Sequence, residues 1–363
     1  MTDANLSQIG LPRISVIIPI HNGESDLPDL LHCLAQQSYP AALAEYLLVD
    51  NNSSDQTLKL LRTLPAANMR CLREMQIQSA YAARNTGIRA AQGEILVFTD
   101  ADCRPQPNWL LHLVQPFTAP EVGLVAGEVL ALPGNTLLER YADRQATLSQ
   151  KHTLAHRYLP YGQTANLAVR RQVFEQVGLF RPYLTTGGDA DLCWRALQFN
   201  WKTDCEKPDC EKLGWAIRLA EQAVVQHRHR PTLAELRSQW QRYGRSNQYL
   251  HDLHGVDLAR PLSRADRLHR WSRWLLKELP LASMLVFMKS PKRAGASHWI
   301  DAMVETPLSL ICQQARAQGQ RQAQLPEAAR EIVWLDSVPD SAPDPVNYRS
   351  TSGQSVSSQQ PVS

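Results

Sequence analysis

Between residues 13 and 100 the chain alternates short, β-branched apolar runs with stretches in which leucine and alanine recur at helical spacing. Ile14-Ser15-Val16-Ile17-Ile18-Pro19 predicts a strand ending at proline, and Leu27, Leu30, Leu31 and Leu34 fall at i, i+3, i+4 and i+7 on one helix face. Residues 45–49 predict a second strand, stopped by the polar cluster Asp50-Asn51-Asn52-Ser53-Ser54-Asp55. Ser53 or Ser54 is placed to cap a helix carrying Leu58, Leu61 and Leu64. Residues 70–72 predict a brief third strand, and the Ala-rich stretch 79–91 a helix closed by Gly93. Ile95-Leu96-Val97-Phe98 is apolar at every position, as a central parallel strand buried on both faces should be.

Strands alternating with helices predict an α/β fold with a doubly wound, mostly parallel sheet, in which ligands bind beyond the carboxyl ends of the strands. Three polar groups fall at such ends: residues 19–22, Asp50, and Asp100-Ala101-Asp102. Residues 123–235 are mixed, with a strand-like run near 162–170, a helix over 191–199 and a last strand over 221–227 ending at His227. From about 232 the pattern is helical and rich in Arg and Trp. After about 336, Ser, Pro, Gln and Asp dominate, which predicts a disordered tail. The expected division is an N-terminal tail (1–12), a catalytic domain (13–231), a basic helical extension (232–335) and the tail (336–363).

A chain of 363 residues, 44% hydrophobic, buries a sizeable core without disulfide staples. Its seven cysteines, an odd number lying mostly in apolar stretches, read as free thiols of a reducing, cytoplasmic compartment. The start MTDANLSQIG lacks a basic-then-apolar leader, and no run reaches the ~20 apolar residues of a spanning helix. A net charge of +3 does not call for a nucleic-acid partner. That charge is unevenly spread: residues 228–293 hold eleven Arg and three Lys against five Asp or Glu, and include Trp271, Trp274 and the apolar run 279–288. Such a segment suits either packing on the catalytic domain with a solvated basic face, or peripheral contact with the inner face of an anionic membrane.

Asp100 and Asp102 are the sharpest chemical signal. In an extended segment residues i and i+2 point the same way, and two carboxylates so placed can hold Mg²⁺ or Mn²⁺ against substrate phosphates. Asp50 suits either a hydrogen bond to a ribose or base, or a simple turn. Arg84 reads as a nucleotide contact or a surface helix charge. Asp189, just before the helix expected at 191–199, is either an N-cap or a carboxylate kept ionised by the helix dipole, able to take a proton from an attacking hydroxyl. Asp191 has a ready i, i+4 partner in Arg195, which leaves Asp189 as the better base. His227 and His229 suit a metal shell, a phosphate or an exposed basic loop. Cys205 and Cys210, without a second pair, read as part of a polar loop.

Six segments in order carry a resemblance: SVIIPIHNGESDLPDLLHCLAQQSYP, LLVDNNSSDQT, ARNTGIRAAQGEILVFTDAD, GQTANLAVRRQVFEQVGLF, GGDADLCWR and AVVQHRHRPTLAELRSQWQRYGRS. Over roughly residues 13–250 the chain resembles glycosyltransferase family 2, inverting enzymes of GT-A fold. The resemblance implies that Pro19, His21 and Asp50 border the nucleobase and ribose, that Arg84 and Asp100 contact the nucleotide, and that Asp100 and Asp102, helped by His227, hold Mg²⁺ or Mn²⁺. It implies Asp189 as the general base, and Asn166, Asp191, Gln239, Arg242 and Tyr243 on the acceptor or pyrophosphate side. The donor would be a UDP- or GDP-sugar and the acceptor a saccharide or lipid-linked hydroxyl, in polysaccharide or cell-envelope glycoconjugate synthesis. One departure is that Gly188 stands where the family usually has Glu, which puts an acceptor contact in doubt. A sugar nucleotidyltransferase is the first alternative, but the loop after the first strand, Pro-Ile-His-Asn-Gly-Glu-Ser-Asp, lacks its basic residues. A non-catalytic nucleotide-sugar-binding scaffold is the second, and the retained acids argue against it.

Overall fold

The computed structural model describes residues 10–64, 66–134, 136–199, 214–281 and 296–336. Cys205, Cys210, most of the apolar run 279–288 and the tail beyond 336 lie outside the described residues.

An eight-stranded sheet runs in the order β3-β2-β1-β4-β7-β6-β8-β5. Its strands are β1 (Ile14–Ile20), β2 (Ala44–Asp50), β3 (Met69–Arg73), β4 (Ile95–Thr99), β5 (Cys103–Pro105), β6 (Val122–Ala131), β7 (Asn166–Arg170) and β8 (Ala216–His227). β1 pairs in parallel with β2 and β4, and β2 with β3. β7 is antiparallel to β4 and β6, while β6 and β8 are again parallel. Every residue of β1 and β4 is buried, because both faces of the sheet are covered.

One face is covered by α1 (Leu27–Ala35), α2 (Thr57–Leu61) and α4 (Trp109–Val114), whose Leu27, Leu30, Leu34, Leu61, Trp109 and Leu110 join Val16, Ile18 and Val97 in one core. The other is covered by α3 (Ala80–Ala90), α7 (Arg171–Val177) and α8 (Gly188–Gln198), through Ala83, Ile88, Phe174, Leu192 and Ala196 against Ile17, Leu47 and Phe98. Ser79 caps α3, accepting from the Tyr81 amide at 3.2 Å. Opposite β1, Gly87 leaves no room for a methyl against Ile17, so α3 lies close on the strand.

Several sequence expectations shift. α2 is capped by neither serine: its Thr57 amide is satisfied by Asp55, and the Ser53 hydroxyl instead accepts from the Asn22 amide. β6 was not legible, since Gly123, Gly127 and Glu128 interrupt its apolar run. β8 begins five residues earlier than expected, and α8 begins at Gly188.

The C-terminal extension is tied into the rest of the chain. α5 (Leu137–Arg144) and α6 (Gln150–Leu154) bridge β6 and β7; α9 (Leu233–His254) opens on a Thr232/Glu235 capping box and ends at Gly255, φ 69°. α10 (Arg264–Arg273) continues into a π-helical turn, Trp274–Glu278, and α11 (Ala296–Gln322) packs along α9. Leu236, Leu308 and Cys312 gather around Tyr141 of α5, and Ala329 returns to the main core.

Candidate active site

The strand ends form one rim. Asp50 closes β2 opposite Ile20 and is fully enclosed. Its Oδ1 accepts from the Ser53 amide at 3.3 Å, Arg73 Nε lies 3.7 Å from Oδ2, and Oδ2 has no hydrogen-bond donor. A buried acceptor without a donor is costly unless a ligand supplies one. His21, just past β1, is fixed through Nδ1 to the Asn51 carbonyl at 2.9 Å, and the Gln78 amide sits against its ring. Asn22 and Asn52 take positive φ of 52° and 58°, which asparagine tolerates, to bend both loops around this rim. Pro19 stays inside β1 beside Val49, one residue further from the rim than the sequence pattern suggested.

Asp100 and Asp102 do not share an extended edge. The chain turns after β4, with the Cys103 amide bonding back to the Asp100 carbonyl at 3.1 Å. The turn sends the two carboxylates to different partners. Asp100 takes Arg84 Nη2 at 2.5 Å and keeps about a third of its side chain, 32%, open to the cleft. The protein packed around it raises its pKa, more than Arg84 lowers it, and Asp102 and Asp189 add to the rise. Asp102 lies 3.3 Å from His227 Nε2 and 3.4 Å from Arg230 Nη2. Burial opposes its ionisation, but His227 and Arg230 outweigh burial and hold it well below the usual carboxylate range.

Asp102, Cys103 and His227 bring potential ligand atoms within 4.8 Å of one another. Among them the thiol is the poor ligand: burial, then Asp102 and Asp100, push its pKa far up, and Sγ points to the Ala165 carbonyl at 3.7 Å. Carboxylate and imidazole remain, a set that suits a hard divalent ion bound beside phosphate. His227 Nδ1 is buried without a partner, so the ring has one nitrogen on Asp102 and one unassigned.

Asp189 sits in the first turn of α8, not ahead of it, two residues past Gly187, the cap, whose φ is 83°. Thr164 holds both its oxygens, from the amide to Oδ2 and the hydroxyl to Oδ1, each at 3.2 Å. The Tyr81 hydroxyl accepts from the Gly188 amide at 2.9 Å, and burial, then Asp189, drives that phenol's pKa far up. Asp189 is near enough to Asp100 to add to the rise in its pKa. Gly188 has a reason here: a Cβ on it would stand 2.7 Å from the Tyr81 ring.

The glycosyl transferase family 2 model matches residues 15–184. Glycosyltransferase AglE of Haloferax volcanii is 35% identical over 259 residues, covering 70% of this chain and 79% of that relative. The chain belongs to glycosyltransferase family 2. A second relative, the pre-mycofactocin glycosyltransferase of Mycobacterium tuberculosis, is 26% identical over 227 residues, 61% of this chain but 44% of the relative. Among solved structures, a mannosyltransferase from Pyrobaculum calidifontis superposes with TM-score 0.54 at 19% identity, covering 84% of this chain and 87% of that one. That likeness carries the GT-A fold.

In this glycosyltransferase two expected acceptor-side residues are committed to the scaffold. Asp191 is fully buried, taking Arg181 Nε at 3.0 Å, Arg195 at 3.0 Å and His254 Nε2 at 3.0 Å. Asn166 is equally enclosed: its Oδ1 accepts from the Trp109 indole at 2.8 Å, and its Nδ2 donates to the Glu128 and Ala223 carbonyls. Neither has an atom left for a substrate. On α9, Gln239 Nε2 donates to the Tyr243 hydroxyl at 3.0 Å, and Arg242, its pKa lowered by burial and then by Arg230, lies within the field of Asp102. Thr164, Tyr81 and Arg230 were missed from sequence. Thr164 and Tyr81 carry no local signal, whereas Arg230 belongs to the His-Arg-His-Arg run, which reads as equally suited to an exposed loop although His227 and His229 are buried.

Proposed function

We propose that this glycosyltransferase transfers a sugar from a nucleotide diphosphate sugar to an acceptor hydroxyl, with inversion at the anomeric carbon. The observation that carries the reading is the Asp102–His227 contact at the turn after β4, with Asp189 near enough to act on Asp100 and an unsatisfied Asp50 oxygen at the end of β2. Asp50 and His21 would receive the base and ribose, and Arg84 would hold Asp100 against the nucleotide. Asp102 and His227, with Asp100 beside them, would hold Mg²⁺ or Mn²⁺, and the ion, when bound, supplies positive charge to the leaving diphosphate. Arg230 and Arg242 add fixed cations on the same side. Asp189, oriented by Thr164, would take the acceptor proton as the hydroxyl attacks opposite the leaving group. The Pyrobaculum neighbour, described in complex with GDP-Man and Mn²⁺, supports this ligand class. Gln239, Arg242 and Tyr243 would line the acceptor side, whose occupant is a saccharide or lipid-linked hydroxyl.

The test is a thermal-shift panel of UDP- and GDP-sugars with and without Mn²⁺, followed by product analysis. At least one donor should stabilise the protein only when metal is present. Stabilisation by every donor equally without metal, or a product of retained configuration, would refute the reading.

A further inference from the structure

A second surface stands apart from the cleft. α10 has no buried residue, although a helix in a folded domain ordinarily buries one face. Leu268, Trp271 and Leu275 follow one another at i, i+3 and i+7, a single stripe, and Leu276 extends it. Leu268 and Leu276 are 72% and 73% exposed, and Leu275 and Trp271 are exposed beside them. The helix is fastened to α11 by two side chains that adjoin this stripe, and the Trp271 and Trp274 rings lie 5.4 Å apart. Trp274 donates its indole N–H to the Met303 carbonyl at 2.8 Å, and Glu278 accepts from the Thr306 hydroxyl at 2.7 Å, both on α11. The exposed leucines therefore belong to a helix held in place, not to a frayed end.

The stripe is set among cations. Arg264, Arg267, Arg270, Arg273 and Lys277 stand on α10 and its π-helical continuation against Asp266 and Glu278. Arg264, Arg267 and Arg270 form no ion pair with any described residue. A leucine and tryptophan ridge flanked by arginines without an ion pair among the described residues matches a surface that is apolar within and negative at its border, which is an anionic lipid bilayer. A second copy of this chain would bring the same cations against one another, and charge complementarity disfavours it.

We propose that the outward face of residues 264–281 docks this protein on the headgroup layer of an anionic membrane. The inference goes beyond the sugar-transfer reading and does not depend on it. Its position gives it a use, however. α11 continues from this contact to α5, where Asp301 accepts from Arg140 and Arg144, each at 2.9 Å. On α5, Glu139 and Asp143 act on His229 beside the cleft. Through α11 and α5 the proposed membrane face is thus joined by direct contacts to the helix whose acids act on His229.

The experiment is co-sedimentation of the full chain with phosphatidylcholine vesicles, with and without phosphatidylglycerol, at low and high salt. The protein should sediment with the anionic vesicles only, and less as salt rises. Leu268→Glu/Leu276→Glu should weaken binding at least tenfold, and Arg264→Ala/Arg267→Ala by about fivefold per arginine. These positions are exposed, so thermal unfolding and donor-dependent stabilisation should match the parent, which separates a failed surface from a failed fold or a failed donor reading. Equal binding to neutral vesicles, no binding to either, or a dimer by light scattering that the leucine variant dissolves while vesicles capture nothing, would overturn the proposal.

Discussion

Asp189 and Asp191 lie two residues apart on α8, on opposite sides of the helix, and the structure assigns them opposite consequences. Asp191→Asn removes the negative charge that two arginines and His254 enclose, while Arg181 and Arg195 keep only carbonyl partners, at Ala329 and Leu179 among others. Removing one member of a buried ion network costs about 3–5 kcal/mol, because the remaining charges stay buried and uncompensated. Roughly 300 folded residues at ~2.1 cal/mol/K each convert this to about 1.6 °C per kcal/mol, hence a fall in Tm of roughly 5–8 °C. The loss has a defined pH window. Burial disfavours the charge on Asp191, but Arg195, His254 and Arg181 overcome it and hold the folded pKa below the ordinary range. A depressed folded pKa gives stability that is present above the unfolded value, near 3.9, and lost as pH falls through the folded value. The gap between parent and variant should therefore be constant from neutral pH to about 5 and close only in acid. Asp189→Asn should do the reverse: Tm within about 1 °C of the parent, and transfer reduced about 10²–10⁴-fold. Differential scanning fluorimetry across pH and a sugar-transfer assay read both variants. An Asp191→Asn protein with unchanged Tm, or an Asp189→Asn protein with full transfer, would refute the assignment.

Three further outcomes are expected. Asp102→Asn and His227→Ala should each weaken Mn²⁺-dependent stabilisation at least tenfold by calorimetry, since each would remove one of the proposed ligand groups; Cys103→Ser should leave metal affinity within about threefold. Asp50→Asn should weaken donor nucleotide binding by about 1–3 kcal/mol, through loss of a buried charged acceptor, while metal binding persists. Gly188→Ala should cost about 1–3 kcal/mol by urea unfolding, because its methyl would meet the Tyr81 ring at 2.7 Å, and the same substitution should cost less in a Tyr81→Ala background.

Much of the frame could be read from the amino-acid order because it rests on local rules. An unbroken Ile-Leu-Val-Phe run has one stable home, a strand covered on both faces, and the β4 end that follows had to carry Asp100 to the ligand edge. The Ala-rich helix bearing Arg84 and the place of Asp50 at the end of its strand follow from the same alternation. Local rules stop where a side chain's partner comes from elsewhere in the chain. Spacing alone made Asp100 and Asp102 a matched pair, whereas a turn gives one to Arg84 and the other to His227, over a hundred residues away. Asp189 and Asp191 differ because Thr164 reaches one, and Arg181 and His254 enclose the other. Whether a charge is buried, paired or open to substrate depends on which distant groups displace water around it, and packing alone decides that.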